Sequence, residues 1–205
     1  MEMIKQIVLT FRFPTDAFYR MRHKGKIKYA LSLYLLVLFV RIFQIYFMNE
    51  PLADVLPKNA SLLLESCKLL IPLMSWVLVS YGISSIRDGE SKLSLVFIST
   101  AYCMLPYILF TPILTMFSRI LSIHDKGIYN TFLYLVWLWI IIMFIKQVIE
   151  VNNFTLRETF ELIVISLFGI VILWASLFLM YILTVNVVTF ISDVFSDINI
   201  LLFNS

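Results

Sequence analysis

Long runs of apolar residues, separated by short polar stretches, dominate the chain from residue 27 onward. A helix needs about 20 mostly apolar residues to cross the hydrocarbon core of a bilayer, because each residue advances it by about 1.5 Å. The runs that approach or exceed this length cover residues 27–47, 69–86, 93–117, 128–145 and 162–182. The pattern predicts an all-α integral membrane protein, a bundle of five transmembrane helices.

The segment 1–26 has a different pattern, with apolar residues at helical spacing among basic ones. Its apolar positions are Met3, Ile4, Ile7, Val8 and Phe11. Pro14 interrupts this spacing, and beyond it aromatic and basic residues alternate. We expect a cytoplasmic, basic, amphipathic segment that lies at the membrane interface.

The end of the chain is also amphipathic. Between residues 187 and 205 an apolar stripe runs beside acidic and hydroxyl residues, and the apolar stripe consists of Val187, Ile191, Val194, Ile198 and Leu201. The fifth run stays uncharged as far as Phe190, which exceeds one bilayer. We predict either an outer-face amphipathic tail or a simple continuation of the fifth helix, and the sequence leaves both open.

Composition and charge fit a bilayer. The chain is 61% hydrophobic and 14% charged, against about 45–50% and about 25% for soluble domains. Its net charge of +3 is too small to indicate nucleic acid binding. Eleven of the 16 basic residues fall before or at the start of the first run, between the second and third, or between the fourth and fifth. The positive-inside rule then predicts a cytoplasmic N-terminus and a C-terminus outside the cell or in a lumen.

The basic residues before and at the start of the first run are candidate contacts to anionic lipid of the inner leaflet. They are Arg20, Arg22, Lys24, Lys26 and Lys28. Each basic residue near such a surface contributes about 1 kcal/mol of attraction. A segment that only fixes topology is an equally good interpretation.

Arg41 is the charged residue well inside a predicted span. Such residues are candidates for function because each costs a few kcal/mol in the bilayer. Arg41 lies near the outer end of its run, so a structural side chain that reaches the interface is the favoured interpretation. We expect no Asp or Glu inside any span, which disfavours a proton-coupled pump.

Two prolines, Pro106 and Pro112, fall inside the third run. Each removes one helical hydrogen bond and frees the carbonyl four residues earlier. We expect kinks that set helix packing, with nearby hydroxyls satisfying the freed carbonyls. A kinked binding site is the alternative.

The sequence contains no recognisable catalytic or metal-binding motif. His23 and His124 are predicted on opposite faces, and Cys67 and Cys103 form no CxxC pair and are expected to be free thiols. We therefore expect no enzymatic activity, no cofactor and no metal. An intramembrane enzyme would need a nucleophile and a base at one depth, and Cys103 has no such base in sequence.

Several residues resemble a motif pattern of known membrane proteins. Asp88-Gly89-Glu90 follows the second span, and Tyr102 begins the sequence Tyr-Cys-Met-Leu-Pro-Tyr that ends with Pro106 and Tyr107 in the third. These residues, with Trp76 and the basic approach to the first span, resemble the Yip family of Ypt/Rab-interacting membrane proteins, in particular its bacterial members. The resemblance covers about residues 11–190.

The resemblance implies a five-span domain over about residues 27–190. It further implies a non-enzymatic scaffold or accessory subunit, acting through other membrane proteins or its own copies, in the plasma membrane or, in a eukaryote, an endomembrane. Ser91 stands where similar bacterial proteins often have a second turn glycine, and the segment linked with Rab contact is absent. Rab binding is therefore not expected. The alternative function is a small transporter or permease component with a path along the kinked third span.

Overall fold

The computed structural model describes the backbone of residues 2–53, 55–87 and 89–203, and their side chains except those of 2, 3, 23, 24, 123 and 193–203. Apart from short 3₁₀ turns, every regular element in this part of the chain is an α-helix. The helices are α1 (Glu2–Arg12), α2 (Pro14–Lys24), α3 (Ile27–Phe47), α4 (Leu62–Ile86), α5 (Leu93–Cys103), α6 (Leu105–Ser118), α7 (Lys126–Asn152) and α8 (Leu156–Phe203).

Five of these units are long and apolar enough to cross a membrane, namely α3, α4, the α5–α6 pair, α7 and α8. The predicted all-α five-helix membrane bundle is therefore confirmed. The first span has the predicted bounds, but α4 begins seven residues before the predicted residue 69. The reason is local, because Ser61 caps the helix by accepting a hydrogen bond from the Leu64 N–H at 3.5 Å.

The third span is broken where the sequence predicts a kink. It divides at Met104, two residues before Pro106. The nearby hydroxyls were predicted to bond the carbonyls that the prolines free, but Ser99 and Thr115 bond carbonyls of other residues. Ser99 donates to Leu95 O and Thr115 to Thr111 O, each at 2.8 Å.

The α5–α6 pair occupies the centre of the bundle. All ten residues from 98 to 107 are buried, although a helix on the surface of a bundle buries only one stripe. The pair packs against α3, α4 and α7. The predicted motif from Tyr102 to Tyr107 thus lies where most helices meet.

The N-terminal segment shares this core. In the structure α1 and α2 form a helical hairpin whose second helix packs on α7, with Ala17, Phe18 and Met21 buried. The Phe11 ring lies 6.0 Å from that of Trp139, at the midpoint of α7. The hairpin therefore reaches down the side of the bundle, whereas the amphipathic pattern predicts a separate interfacial segment.

The boundary between α7 and α8 follows from local chemistry. Asn153 adopts the left-handed conformation (φ 59°), which ends α7. Thr155 and Glu158 then form a capping box, in which the Thr155 N–H donates to Glu158 at 2.8 Å. From this cap α8 runs without a break to Phe203, so the continuation of the fifth helix, one of the two predicted alternatives, is the one observed. The side chains of the predicted tail beyond residue 192 lie outside the described residues.

Candidate functional site

A buried ion pair joins α3 to α4. Arg41 Nη2 lies 2.5 Å from Glu65 Oε2, and Arg41 Nε donates to the same oxygen at 3.2 Å. Lys68 Nζ lies 2.5 Å from the other carboxylate oxygen. Glu65 is only 3% exposed. Its negative charge is compensated by Arg41 and Lys68, as a buried carboxylate requires.

A glutamine extends this ion pair to two further helices. Gln44 Oε1 accepts hydrogen bonds from Arg41 at 2.9 Å and from the Tyr107 hydroxyl at 3.4 Å. Its amide nitrogen donates to the Tyr129 hydroxyl at 3.4 Å. We call the residues Arg41, Gln44, Glu65, Lys68, Tyr107 and Tyr129 the Arg41 cluster, and it links α3, α4, α6 and α7.

One sequence expectation near Arg41 is wrong. An acid does lie inside a span-length helix, because α4 begins early enough to include Glu65. The interpretation of Arg41 as a structural side chain gains specific partners, since Glu65 and Gln44 bind its guanidinium. The missed signal was Ser61, a helix-capping residue that begins the helix before Glu65.

The cleft beside Arg41 is small. Its volume is about 20 Å³, and Gln44, Met48 and Val55 are among its lining residues. A volume of this size holds about one water molecule. Tyr102 is not part of the lining.

A second polar group closes the turn between α4 and α5. The Ser84 hydroxyl donates to the Asn152 side-chain oxygen and lies 2.9 Å from the Ser91 hydroxyl, so Ser91 is the donor of that second bond. The Gly89 N–H donates to Ser84 O at 2.8 Å. We call Ser84, Gly89, Ser91 and Asn152 the Gly89 turn.

Glycine is required at residue 89 by close packing. A Cβ there would clash with the Ser84 hydroxyl and lie 2.8 Å from Ser84 O and 3.1 Å from Asn152 Oδ1. Asp88, the other residue of the predicted Asp-Gly pair, lies outside the described residues. Ser91 bonds Ser84 in this turn.

A third polar group joins α5 to α7 and was missed by sequence reasoning. Gln147 is buried and donates to Ser99 at 2.9 Å and to Thr100 at 3.1 Å. The Cys103 thiol lies 3.5 Å from Gln147 Oε1. A single glutamine near the end of a long apolar run gives little signal, because its partners lie about 45 residues away.

The remaining in-membrane candidates are packing residues. Trp76 of α4 meets Phe144 of α7 edge to face, with ring centroids 5.4 Å apart. Tyr102 and Pro106 are both buried in the central pair. Trp76 therefore contributes to the contact between α4 and α7.

The candidate lipid contacts differ from one another in exposure and in their partners. Arg20 and Lys28 are exposed, whereas Arg22 forms an ion pair with Glu90 in the turn before α5. Lys26 lies over the Tyr29 ring, 5.5 Å from its centroid. The side chain of Lys24 lies outside the described residues.

These three polar groups each connect two or more helices. Within the part of the chain that the structure describes, no three His, Cys, Asp or Glu residues are placed to hold a metal ion. Cys67 and Cys103 are free thiols, as predicted. No family model, no curated protein and no solved structure matches this chain, which is a multi-pass helical membrane protein by its five apolar spans.

Proposed function

We propose that this chain is a non-enzymatic membrane protein of Yip type that acts as a scaffold or accessory subunit, with its N-terminus in the cytoplasm and the plasma membrane as its location. The observation that carries the proposal is the exposed second half of α8. Every residue from 174 to 192 is exposed on all faces of the helix.

The length of this apolar surface supports a protein partner. A bilayer core about 30 Å thick is crossed by about 20 helical residues, which accounts for α8 from Leu162, directly after the charged Glu161, to Ile182. The following residues up to Ile191 are uncharged, and Leu183, Phe190 and Ile191 are exposed among them. Tilt accommodates part of this excess, and contact with another membrane protein would cover the rest.

The polar contacts inside the bundle support a fixed platform. The Arg41 cluster connects four helices, and the Gly89 turn and the Gln147 contacts connect α4, α5 and α7. A scaffold benefits from such fixed helix positions. Gly89 of the Yip-like motif lies in one of these contacts, and Tyr102 and Pro106 of the same motif are buried in the central pair.

Two observations make a transport path along the third span the weaker candidate. The kink at Pro106 is enclosed by neighbouring helices, and residues 98–107 are all buried. An anion that bound Arg41 would have to displace Glu65 from it.

Purification of tagged protein from its own host in native nanodiscs, with mass spectrometry of the accompanying proteins, tests the scaffold role. We expect a stoichiometric membrane protein partner for the wild type. The double variant Leu183→Ser/Phe190→Ser, on the exposed α8 surface, loses this partner. The matched control Ile4→Ser/Val8→Ser, on the exposed side of α1, retains it.

The opposite outcome is equally informative. Recovery of this chain with no stoichiometric protein partner, combined with substrate flux in reconstituted liposomes, would replace the scaffold by the permease component. Loss of the partner in both double variants would show that α8 is not the contact surface.

Orientation has its own test. Lys58→Cys and Arg157→Cys place thiols at exposed positions on opposite ends of the bundle. In intact cells we expect an impermeant maleimide to label Lys58→Cys above the background of the parent chain, and Arg157→Cys only after permeabilisation. The reverse labelling would invert the proposed topology.

A further inference from the structure

A cleft of about 440 Å³ opens at the basic end of the bundle, between the end of α2 and the start of α5. Its volume falls within the usual range of small-molecule sites, about 300–1,000 Å³. No residue of the Arg41 cluster is among its lining residues.

The charged side chains of the cleft favour an anion. Arg22 and Glu90 pair with each other and neutralise one another. Lys92 lines the same cleft, is exposed, and forms no ion pair with any residue that the structure describes. The described lining therefore has one excess positive charge, located on Lys92.

Further donors lie next to Lys92. The exposed Ser94 hydroxyl lines the cleft, and α5 begins at Leu93, directly after Lys92, without a side-chain cap. The first amides of a helix favour negative charge, which adds to the field of the lysine. Lysine, hydroxyl and positive field together suit a phosphate group.

The floor of the cleft is apolar. Leu95 and Ile98 line it within the first turns of α5, where the apolar third span begins. The cleft therefore lies where a span enters the membrane, with polar groups at its rim and apolar groups toward the hydrocarbon. Phospholipids have this same order of chemistry.

We propose that this cleft binds the headgroup phosphate of one anionic phospholipid, with Lys92 and Ser94 as direct contacts and with Leu95 and Ile98 against the upper part of an acyl chain. The proposal rests on the inner-leaflet orientation proposed above, and it deepens the lipid contact of the basic segment by naming one site. The Arg22–Glu90 pair also lines the cleft and joins α2 to the segment that precedes α5.

Native mass spectrometry of the full-length protein in detergent, titrated with dioleoyl phosphatidylglycerol, measures binding of the first lipid. We expect Lys92→Gln to raise its apparent Kd about fivefold, which corresponds to about 1 kcal/mol for one basic contact. Lys92→Arg keeps the charge and retains most of the affinity. Ser94→Ala raises the Kd by a smaller factor.

Lys28→Gln is the matched control, because it removes one exposed positive charge from the same end of the bundle outside the cleft. We expect it to leave binding of the first lipid within twofold of the wild type. Equal losses for Lys92→Gln and Lys28→Gln, or no loss for either, would overturn the site in favour of diffuse charge attraction.

Two further titrations identify the ligand. Equal affinity for dioleoyl phosphatidylcholine would overturn the selectivity for anionic headgroups. Displacement of the lipid by millimolar glycerol 3-phosphate would indicate a soluble phosphate ligand and overturn the lipid assignment. Because these measurements use the isolated chain, their failure leaves the co-purification test of the scaffold role unaffected.

Discussion

The α5–α6 pair and α8 are both apolar spans, yet the bundle uses them in opposite ways. Over an apolar stretch of 18 residues in each span, 67% of the residues of α5–α6 are buried but only 11% of those of α8. The mean hydropathy is 1.9 for α5–α6 and 2.8 for α8. The more apolar helix is therefore the one that the rest of the protein covers least.

This difference shows what burial means in a membrane protein. Lipid is as apolar as a protein interior, so apolar side chains gain little by moving from one to the other. Hydroxyl and amide groups need partners, and small residues allow close approach of helices. The central pair contains Ser99, Thr100 and Tyr107, which bond neighbouring helices, whereas the exposed part of α8 is mainly Leu, Ile, Val and Phe.

The largest expected effect is at the Arg41 cluster, where Glu65→Gln removes the buried carboxylate that pairs with the partly buried Arg41 guanidinium. We expect a loss of about 3–5 kcal/mol in the free energy of unfolding, measured by denaturant titration in detergent. The double variant Arg41→Gln/Glu65→Gln recovers much of this loss, because neither charge is then buried alone. Glu50→Gln, at an exposed position, is the control. If Glu65→Gln lowered the free energy of unfolding no more than this control does, the ion pair would not stabilise the bundle.

The next effect is at the Gly89 turn. Gly89→Ala forces a Cβ against the Ser84 hydroxyl and carbonyl, and overpacking of this kind costs about 1–3 kcal/mol. Gly82→Ala is the matched control, because a Cβ there meets no atom within 4 Å. If thermal unfolding gave the same midpoint for both alanine variants, the requirement for glycine at residue 89 would be refuted.

A smaller effect is expected for Gln147→Leu, which keeps the approximate volume of the side chain and removes its hydrogen bonds to α5. Interhelical hydrogen bonds in membranes contribute about 0.6 kcal/mol each on average, so we expect a loss of about 1 kcal/mol. Hydrogen exchange of the α5 and α7 amides detects the loosened contact. Unchanged exchange would mean that apolar packing alone holds α5 to α7.

The smallest effect is expected on α8. Phe178 is 63% exposed, and surface substitutions such as Phe178→Ala stay within about 0.5 kcal/mol. Unfolding of the monomer in detergent measures this. A loss above 1 kcal/mol would remove the contrast between α8 and the central pair, because it would show that this part of α8 packs against protein in the isolated chain.

The N-terminal hairpin shows where pattern reasoning stops. Phe18 and Met21 stand among basic residues and read as one side of an interfacial segment, yet both pack into the core. The hydrophobic pattern identifies the apolar side of a helix, and that side fits a bilayer surface and a neighbouring helix equally well.

The sequence by itself determined the membrane class, the number of spans, the bounds of α3 and the break near Pro106. These features depend on local quantities: the free energy of transfer from water to an apolar medium, and the hydrogen bond that a proline lacks. Only the tertiary structure decided which span lies at the centre, which acid pairs with Arg41 and why residue 89 is glycine. Those outcomes depend on contacts between residues distant in sequence, such as Glu65 with Arg41 and Asn152 with Ser84. The free energy of transfer of an apolar side chain does not distinguish a lipid neighbour from a helix.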